Sequence, residues 1–272
     1  MLSVLTNHLT FNTKMGKYVI FTKDKVIGKK LFVNKEYEKE EIDLLITLLQ
    51  KQNILPNNDV VIDIGSNIGY ISIYLLKNNW FKKAIAIEPD PQNYYLLEKN
   101  IIMNRLENRI KALNIGLSDK IGTLSFEKSK SNFGDHRVRV DNNYNDFELK
   151  AESKRKTIKI NSITFNELVN KEEIKNIGLI WIDVQGYEYY ILKDIPKSIF
   201  NVTPLYVEFW PYGYKKAAVS SKQIINFYQS RFNWFYILRK SNKFVRYPID
   251  YLPYIIEELG FGYPYYNILF TN

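Results

Sequence analysis

Short runs of apolar residues, each followed by a turn or a polar side chain, recur along the chain. Five of these runs predict strands that are buried on both faces, as the strands of a parallel sheet are. They cover residues 60–65, 84–88, 110–117, 178–184 and 205–210. A further run near the C-terminus, residues 266–270, predicts a last strand.

Helical patterns lie between the strands. Apolar residues over 68–76 predict a helix directly after the first strand. A second helix is predicted to begin at Asp90, because Asp is a favoured N-cap and Pro91 suits the first helical position. Thr164 and Glu167 have capping-box spacing and predict another helix start. The alternation of strands and helices predicts a doubly wound α/β sheet with helices on both faces.

The N-terminal part departs from this alternation. Residues 16–34 predict short antiparallel strands with turns at Lys23 and Gly28, and a charged helix is predicted over 37–50. We therefore separate residues 1–52, a small antiparallel and helical elaboration, from the main domain.

The main domain is predicted over residues 53–272 and contains an insertion at 118–161. Strand-like ends, 123–126 and 157–160, flank a polar middle that predicts a mobile loop, and loops set on a rigid sheet often carry function.

Composition narrows the chemistry. The 272 residues are 46% hydrophobic, typical of a folded globular protein. The absence of cysteine excludes disulfides, a thiolate nucleophile and Cys-ligated zinc, and two histidines are too few for a multi-His site, so no metal is predicted. The chain lacks a signal-peptide pattern and any apolar run of roughly 18 residues, which predicts a cytoplasmic protein without membrane insertion. The Tyr- and Phe-rich C-terminal part offers a surface for a homodimer.

The end of the first strand carries the clearest motif. Ligands bind at the carboxyl ends of the strands in open α/β sheets. There, Asp63, Gly65, Asn67 and Gly69 form D-x-G-x-N-x-G, a pattern typical of S-adenosylmethionine (SAM) sites. The spacing differs from the G-x-G-x-x-G of dinucleotide-binding dehydrogenases. A plain tight turn is the alternative.

Two further segments follow at the ends of the next strands. Glu88 lies 25 residues beyond Asp63, near the spacing at which an acid meets ribose hydroxyls, with a solvated charge as the alternative. Residues 114–119, ending in Asp119, are a candidate for framing the adenine or are an ordinary loop.

The fourth strand ends in a more specific run. It reads Asp183-Val184-Gln185-Gly186-Tyr187-Glu188. With the preceding motifs, this run resembles the FkbM-type family of SAM-dependent methyltransferases, in which the sequence is usually D-V-E-G-x-E, so Gln185 stands in the place of an acid. The resemblance covers most of the chain and includes Tyr37, Glu38 and the segments VIDIGSNIGY, AIEPDP, LSDKIG, SITFNEL and VEFWP.

The resemblance implies a class I Rossmann-like methyltransferase fold with a mostly parallel sheet of seven strands. It implies that SAM is the methyl donor and that a hydroxyl on a sugar, glycan or secondary metabolite is the acceptor. Asp63, Gly65, Asn67 and Gly69 would line the methionine and ribose part of SAM, and Glu88 would hold the ribose.

The catalytic candidates are Asp183, Glu188 and His136. An alcohol needs a base as the new bond forms, and the resemblance puts Asp183 and Glu188 at the junction of donor and acceptor. His136 has a suitable ordinary pKa, although a lone loop histidine is often only exposed. Glu188 has an alternative role at a helix N-terminus. Glu208 and Trp210 are candidates for acceptor contact or for core packing.

The charge adds one hypothesis. The chain has 38 Lys and Arg against 29 Asp and Glu, and residues 128–159 carry nine basic and five acidic residues. Arg137 and Arg139 in this insertion would recruit an anionic acceptor, unless the loop is simply solvated. A non-catalytic SAM-fold binding protein or a nucleic-acid-binding module is the alternative function. The intact Asp63, Gly65 and Glu88 argue against it, and nucleic acid is not the predicted partner.

Overall fold

A mixed sheet of eight strands passes through the centre of the computed structural model, which describes residues 7–55, 59–140 and 155–272. The strands are β1 (His8–Asn12), β2 (Lys17–Phe21), β3 (Val60–Ile64), β4 (Lys83–Ile87), β5 (Ile110–Leu113), β6 (Gly116–Leu117), β7 (Gly122–Lys128), β8 (Arg137–Val138), β9 (Lys156–Ile163), β10 (Ile177–Ile182), β11 (Leu205–Phe209), β12 (Trp234–Arg239), β13 (Lys243–Pro248) and β14 (Tyr266–Thr271). The helices are α1 (Ile27–Asn34), α2 (Lys39–Lys51), α3 (Tyr70–Lys77), α4 (Pro91–Met103), α5 (Phe165–Lys171), α6 (Glu188–Leu192), α7 (Lys197–Phe200), α8 (Pro211–Lys216), α9 (Ser221–Gln229) and α10 (Leu252–Leu259).

The central sheet has the order β13-β12-β14-β11-β10-β3-β4-β5. The strands from β11 to β5 in this order are parallel neighbours, whereas β14 is antiparallel to both of its neighbours and β13 to β12. This confirms the doubly wound, mostly parallel sheet, and β13 adds an eighth strand at one edge. The chain leaves β3 on one side for β4 and later returns on the other side as β10. The carboxyl end of β3 is therefore the topological switch point, where ligands bind in such sheets.

Helices cover both faces because successive strand residues point in opposite directions. Ile62 and Ile64 pack with α5, α6, α9 and α10, while Val61 packs on the other face with α2, α3 and α4. The helix starts agree with the sequence. The Asp90 carboxylate accepts from the main-chain N–H groups of Gln92 and Asn93, and the Thr164 hydroxyl accepts from that of Glu167.

Two predicted segments are wrong in part. Residues 110–117 are not one strand: β5 ends at Leu113, and β6 pairs with β9 in a second sheet of order β6-β9-β7-β8. The Asn114 amide donates to the main-chain oxygens of Glu88 and Pro89, which fixes the turn between β5 and β6.

The antiparallel N-terminal element is present as the β1–β2 pair. However, the strands predicted after it are replaced by α1. The Asp24 carboxylate accepts from the N–H groups of Val26 and Gly28, which favours a helical start there.

The insertion forms the second sheet, and the predicted strands are confirmed as β7 and β9, which pair antiparallel. Residues 141–154, the core of the predicted mobile loop with Lys150 and Lys154, lie outside the described residues. Within the described ranges, no helix is both long and apolar enough to cross a bilayer.

Candidate active site

Gly65 lies where β3 and β10 meet most closely. Its φ of +89° favours glycine. A Cβ atom at this position would lie 1.9 Å from the main-chain oxygen of Asp183, so no larger residue fits without separating the two strand ends. The sequence motif thus reflects a close approach of two strands as well as a tight turn.

Glu88, at the end of β4, is fixed by main-chain donors. Its Oε2 accepts from the N–H of Asn67 at 2.9 Å and its Oε1 from that of Asp90 at 2.7 Å. Burial, followed by the nearby charge of Asp90, raises the pKa of Glu88 to about 8. When it is ionised, the side chain keeps a further lone pair on each oxygen and can accept hydrogen bonds from two neighbouring hydroxyls; when it is protonated, one of these bonds is donated instead.

The Asp63 side chain links the end of β3 to helix α3. Its Oδ2 accepts from the Ser72 hydroxyl at 2.5 Å, and the side chain is buried. Burial raises the pKa of Asp63 to about 6.

A narrow cavity lies at this switch point, and we call it the central cavity. Five predicted site residues line it: Gly65, Asn67, Glu88, His136 and Asp183. Its apolar wall includes Pro89, Leu117, Phe126, Val138, Ile160 and Tyr187. The other predicted residues do not line it: Asp63, Gly69, Asp119, Glu188, Glu208, Trp210, Arg137 and Arg139. Much of this wall comes from the insertion. The described part of the insertion therefore lies on the Glu88 side of the central cavity.

His136 is buried in this wall, although a loop histidine is often exposed. Its Nδ1 accepts from the N–H of Ser129 at 3.1 Å, which places the proton of the neutral ring on Nε2. Burial is the main cause that lowers the pKa of His136 to about 4. Such a ring is a weak base, and its Nε2 has no hydrogen-bond partner among the described residues.

Phe133 ties the insertion to the β3–α3 turn. Its main-chain oxygen accepts from the side-chain amides of Asn67 at 2.9 Å and Asn93 at 3.1 Å. Asn93 was not among the residues predicted from the sequence. The residues around Asn67 and Asn93 do not indicate that their amides bond to Phe133, which lies far along the chain.

The arginines of the insertion form ion pairs within it. Arg139 Nε lies 2.6 Å from a Glu127 carboxylate oxygen, and Arg137 Nη1 lies 3.1 Å from Asp135. Arg155 contacts the other Asp135 oxygen at 2.5 Å. The hypothesis that Arg137 and Arg139 recruit an anionic acceptor stays a prediction, and these contacts favour a structural role.

Asp183 and Glu208 lie at the ends of β10 and β11 and are linked through Gln185. The Gln185 amide donates to Asp183 Oδ1 at 2.7 Å and to Glu208 Oε2 at 2.8 Å. Loss of solvent raises the pKa of both carboxyl groups, and the Asp183 charge raises that of Glu208 further. Where the family usually has an acid, Gln185 is a neutral bridge that avoids a third negative charge.

Glu188 holds the loop that follows β10. Its Oε1 accepts from the N–H groups of Val184 and Gly186, each at 3.1 Å, while its Oε2 has no partner among the described residues. Burial raises the pKa of Glu188 to about 7. These contacts are those of a loop support.

The remaining predicted residues are engaged elsewhere. Asp119 forms an ion pair with Lys193 at 2.7 Å. The buried Trp210 donates from Nε1 to the main-chain oxygen of Gly262 at 3.0 Å.

Glu38 is a site residue whose position the sequence did not reveal, although it contributed to the family resemblance. Its Oε2 accepts from the Tyr70 hydroxyl at 3.1 Å, and Tyr70 lines the central cavity. Burial, followed by the charges of Glu41 and Asp183, raises the pKa of Glu38 to about 7.

Comparison with known proteins agrees with the sequence motifs. The family model described as the methyltransferase FkbM domain matches residues 63–238, from the end of β3 into β12. The chain belongs to the FkbM methyltransferase family. This confirms the family resemblance, and the matched range contains the Gly65 turn, Glu88, the insertion and the Asp183 loop.

Individual relatives match over shorter ranges. The hexuronic acid methyltransferase AglP of Haloferax volcanii is 29% identical over 170 residues, 62% of each chain. Methyltransferase sdnD of Sordaria araneosa is 40% identical over 70 residues, 26% of this chain and 27% of sdnD. The chain thus matches about three fifths of the first relative's length and about a quarter of the second's. The crystal structure of methyltransferase FkbM from Methylobacillus flagellatus has 14% identity and a TM-score of 0.46, over 77% of this chain and 42% of that chain.

Proposed function

We propose that this FkbM-family protein is a SAM-dependent methyltransferase that acts on a hydroxyl of a sugar or glycan. One observation carries the proposal: the Gly65 turn places Glu88 and Asp183 on the lining of the same cavity. Family membership supports methyl transfer, and the name of the hexuronic acid relative supports a sugar acceptor.

The residues of the central cavity fit SAM. Glu88 has acceptor capacity for both ribose hydroxyls, and the missing side chain at Gly65 allows close approach to the main chain. Asn93 Oδ1 and His136 Nε2 are buried polar atoms without a partner among the described residues. An acceptor and a donor in one cavity can satisfy the polar edge of a purine.

SAM also requires more room. The central cavity measures about 50 Å³, whereas ligand pockets start at roughly 300 Å³. We infer that the segment around Phe133 moves away from Asn67 and Asn93 when SAM enters.

Methyl transfer then depends on placement and on a base. Bound SAM supplies an electrophilic methyl group. The residues around Asp183 would have to hold the acceptor hydroxyl against this group. The Asp183 carboxylate takes the hydroxyl proton as the bond forms, and its raised pKa makes it a better base than an ordinary aspartate. Gln185 keeps Asp183 and Glu208 in fixed positions through its two hydrogen bonds.

Calorimetric titration with SAM and with S-adenosylhomocysteine tests the donor, and we expect binding of both. A screen of glycans and nucleotide sugars with methyl-labelled SAM, analysed by mass spectrometry, tests the acceptor. Absence of SAM binding at high micromolar concentration would contradict the proposal. SAM binding without any product, together with salt-sensitive binding of nucleic acid, would favour a non-catalytic protein.

A further inference from the structure

A second depression opens beside Glu38, and we call it the outer groove. It lies between the end of α1 and the start of α2 on one side and the first residues of β14 on the other. Its volume is about 620 Å³, within the range of ligand sites. Its lining includes Lys30, Tyr37, Glu38, Glu41, Tyr265 and Asn267.

The outer groove leads to the carboxyl groups of the candidate active site. Glu38 lines the groove and accepts from Tyr70, which lines the central cavity, so this one hydrogen bond joins the two sites. At the floor, Asn267 of β14 lies opposite Glu208 of β11 in the sheet register. Besides burial, the Asp183 charge contributes to raising the pKa of Glu38 and of Tyr265, two lining residues, so the groove lies near Asp183 although neither Asp183 nor Glu208 lines it.

The chemistry of the lining suits a sugar. Tyr37 and Tyr265 offer flat rings that also carry hydroxyl groups, and carboxylates together with the Asn267 amide can bond several hydroxyls. Among the described lining residues, Glu36, Glu38, Glu40 and Glu41 outnumber Lys30 and Lys39. Glu36 is paired with Lys14 at 2.9 Å and Lys39 with Asp43 at 2.5 Å, which leaves Glu38, Glu40 and Glu41 against Lys30, so the groove favours a ligand without negative charge.

We propose that the outer groove binds the methyl acceptor, and that this acceptor is a glycan whose reacting end carries no negative charge. The inference rests on the proposed function, because it gives that methyl transfer its acceptor site. It also separates acceptor recognition from Arg137 and Arg139 of the insertion.

Saturation-transfer NMR on the full chain with S-adenosylhomocysteine tests the groove. The two probes are methyl β-cellobioside and its derivative with a carboxylate at the terminal C6. We expect saturation of the neutral probe and at least about threefold weaker binding of the acidic probe. Tyr265→Ala should weaken binding of the neutral probe about five- to tenfold, the loss expected for an aromatic contact. Tyr254→Ala is the control, since Tyr254 is exposed on α10 and lies outside the groove lining.

Three results would contradict the proposal that the outer groove binds the acceptor. They are no saturation of either probe, binding of the acidic probe as tight as that of the neutral one, or wild-type binding by Tyr265→Ala. Calorimetry with SAM on the same samples keeps this outcome apart from failure of the proposed function. If SAM binds and one of these results is found, only the proposed acceptor site is wrong. If SAM does not bind, the methyltransferase proposal fails first.

Discussion

The two sides of the central cavity hold their carboxyl groups in different ways. On one side, Glu88 accepts from two main-chain N–H groups. On the other side, the side chain of Gln185 joins Asp183 to Glu208, which is not part of the cavity lining. The fold sets the positions of main-chain donors, so these donors hold the Glu88 carboxyl group in a fixed place. A side-chain bridge instead leaves two acids close together, so that the charge on Asp183 raises the pKa of Glu208 beyond the effect of burial.

This difference suggests a division of work. A carboxylate held by the main chain suits a constant ligand such as a ribose, because the two hydrogen bonds restrict the side chain to one rotamer. Two acids linked by one side chain suit proton transfer, because, beyond the effect of burial, the charge on Asp183 raises the pKa of Glu208 and the pair holds a proton more readily than an isolated acid. Glu188, five residues after Asp183, is held by main-chain N–H groups in the same way as Glu88.

The largest effect is expected where the two sides touch. Gly65→Ala puts a Cβ atom 1.9 Å from the Asp183 main-chain oxygen, so the β3 turn and the end of β10 must separate. We expect SAM affinity to fall at least about 100-fold and the free energy of unfolding to fall by about 3 kcal/mol or more. Calorimetry and urea denaturation measure the two effects.

Gly260→Ala is the control for backbone conformation. Gly260 also has a positive φ, +62°, but its added Cβ would meet no atom within 4 Å. Because Gly260 combines this φ with a ψ of −165°, a region that essentially only glycine adopts, the free energy of unfolding should fall by about 1–3 kcal/mol, with SAM affinity unchanged. If the two variants behaved alike, close approach of the strands would not explain the need for Gly65.

Asp183→Asn tests the second side alone. The amide oxygen can still accept from Gln185, but the side chain no longer takes a proton. We expect kcat to fall about 10²- to 10⁴-fold while SAM affinity is preserved. Asp194→Asn, at an exposed position beyond α6, should leave both quantities unchanged. Full turnover by Asp183→Asn on the true acceptor would exclude this residue as the base.

Local patterns predicted the sheet and the Gly65 turn, because strand burial and helix caps depend on neighbours in sequence. The predicted strands after Phe21 were wrong, since Asp24 starts α1 through its own hydrogen bonds. The positions of Glu38 and His136 depend on distant segments. Glu38 meets Tyr70, 32 residues away, and the His136 segment is anchored by Phe133 on Asn67, 66 residues away. The residues next to these positions in the sequence do not predict such contacts.

Glu188→Gln tests whether Glu188 is a loop support held by main-chain hydrogen bonds rather than a base. The Gln oxygen can keep both hydrogen bonds that Oε1 accepts. Burial raises the pKa of Glu188 from 4.5 to about 7, so the wild-type folded state binds the extra proton and loses stability as pH rises through this window. The variant cannot lose that stability. Its free energy of unfolding relative to wild type should therefore rise by about 3 kcal/mol from pH 5 to pH 8.

Urea denaturation at the two pH values measures this change, with Glu257→Gln, an exposed position on α10, as the control. Activity should stay close to wild type. Parallel pH dependence of variant and wild type would contradict the protonation of Glu188. A drop in kcat as large as that of Asp183→Asn would make Glu188 a catalytic residue.

The smallest effect concerns the insertion on the Glu88 side. Arg139 pairs with Glu127 of β7, and the neighbouring Phe126 lines the central cavity. Arg139→Gln should loosen this wall and raise the KM for SAM about two- to fivefold, the effect of about 1 kcal/mol or less, with the acceptor KM unchanged. Lys156→Gln, an exposed cation on β9, removes the same charge without this pair and should change neither KM. A rise in the acceptor KM alone would instead show that the insertion recruits an anionic acceptor.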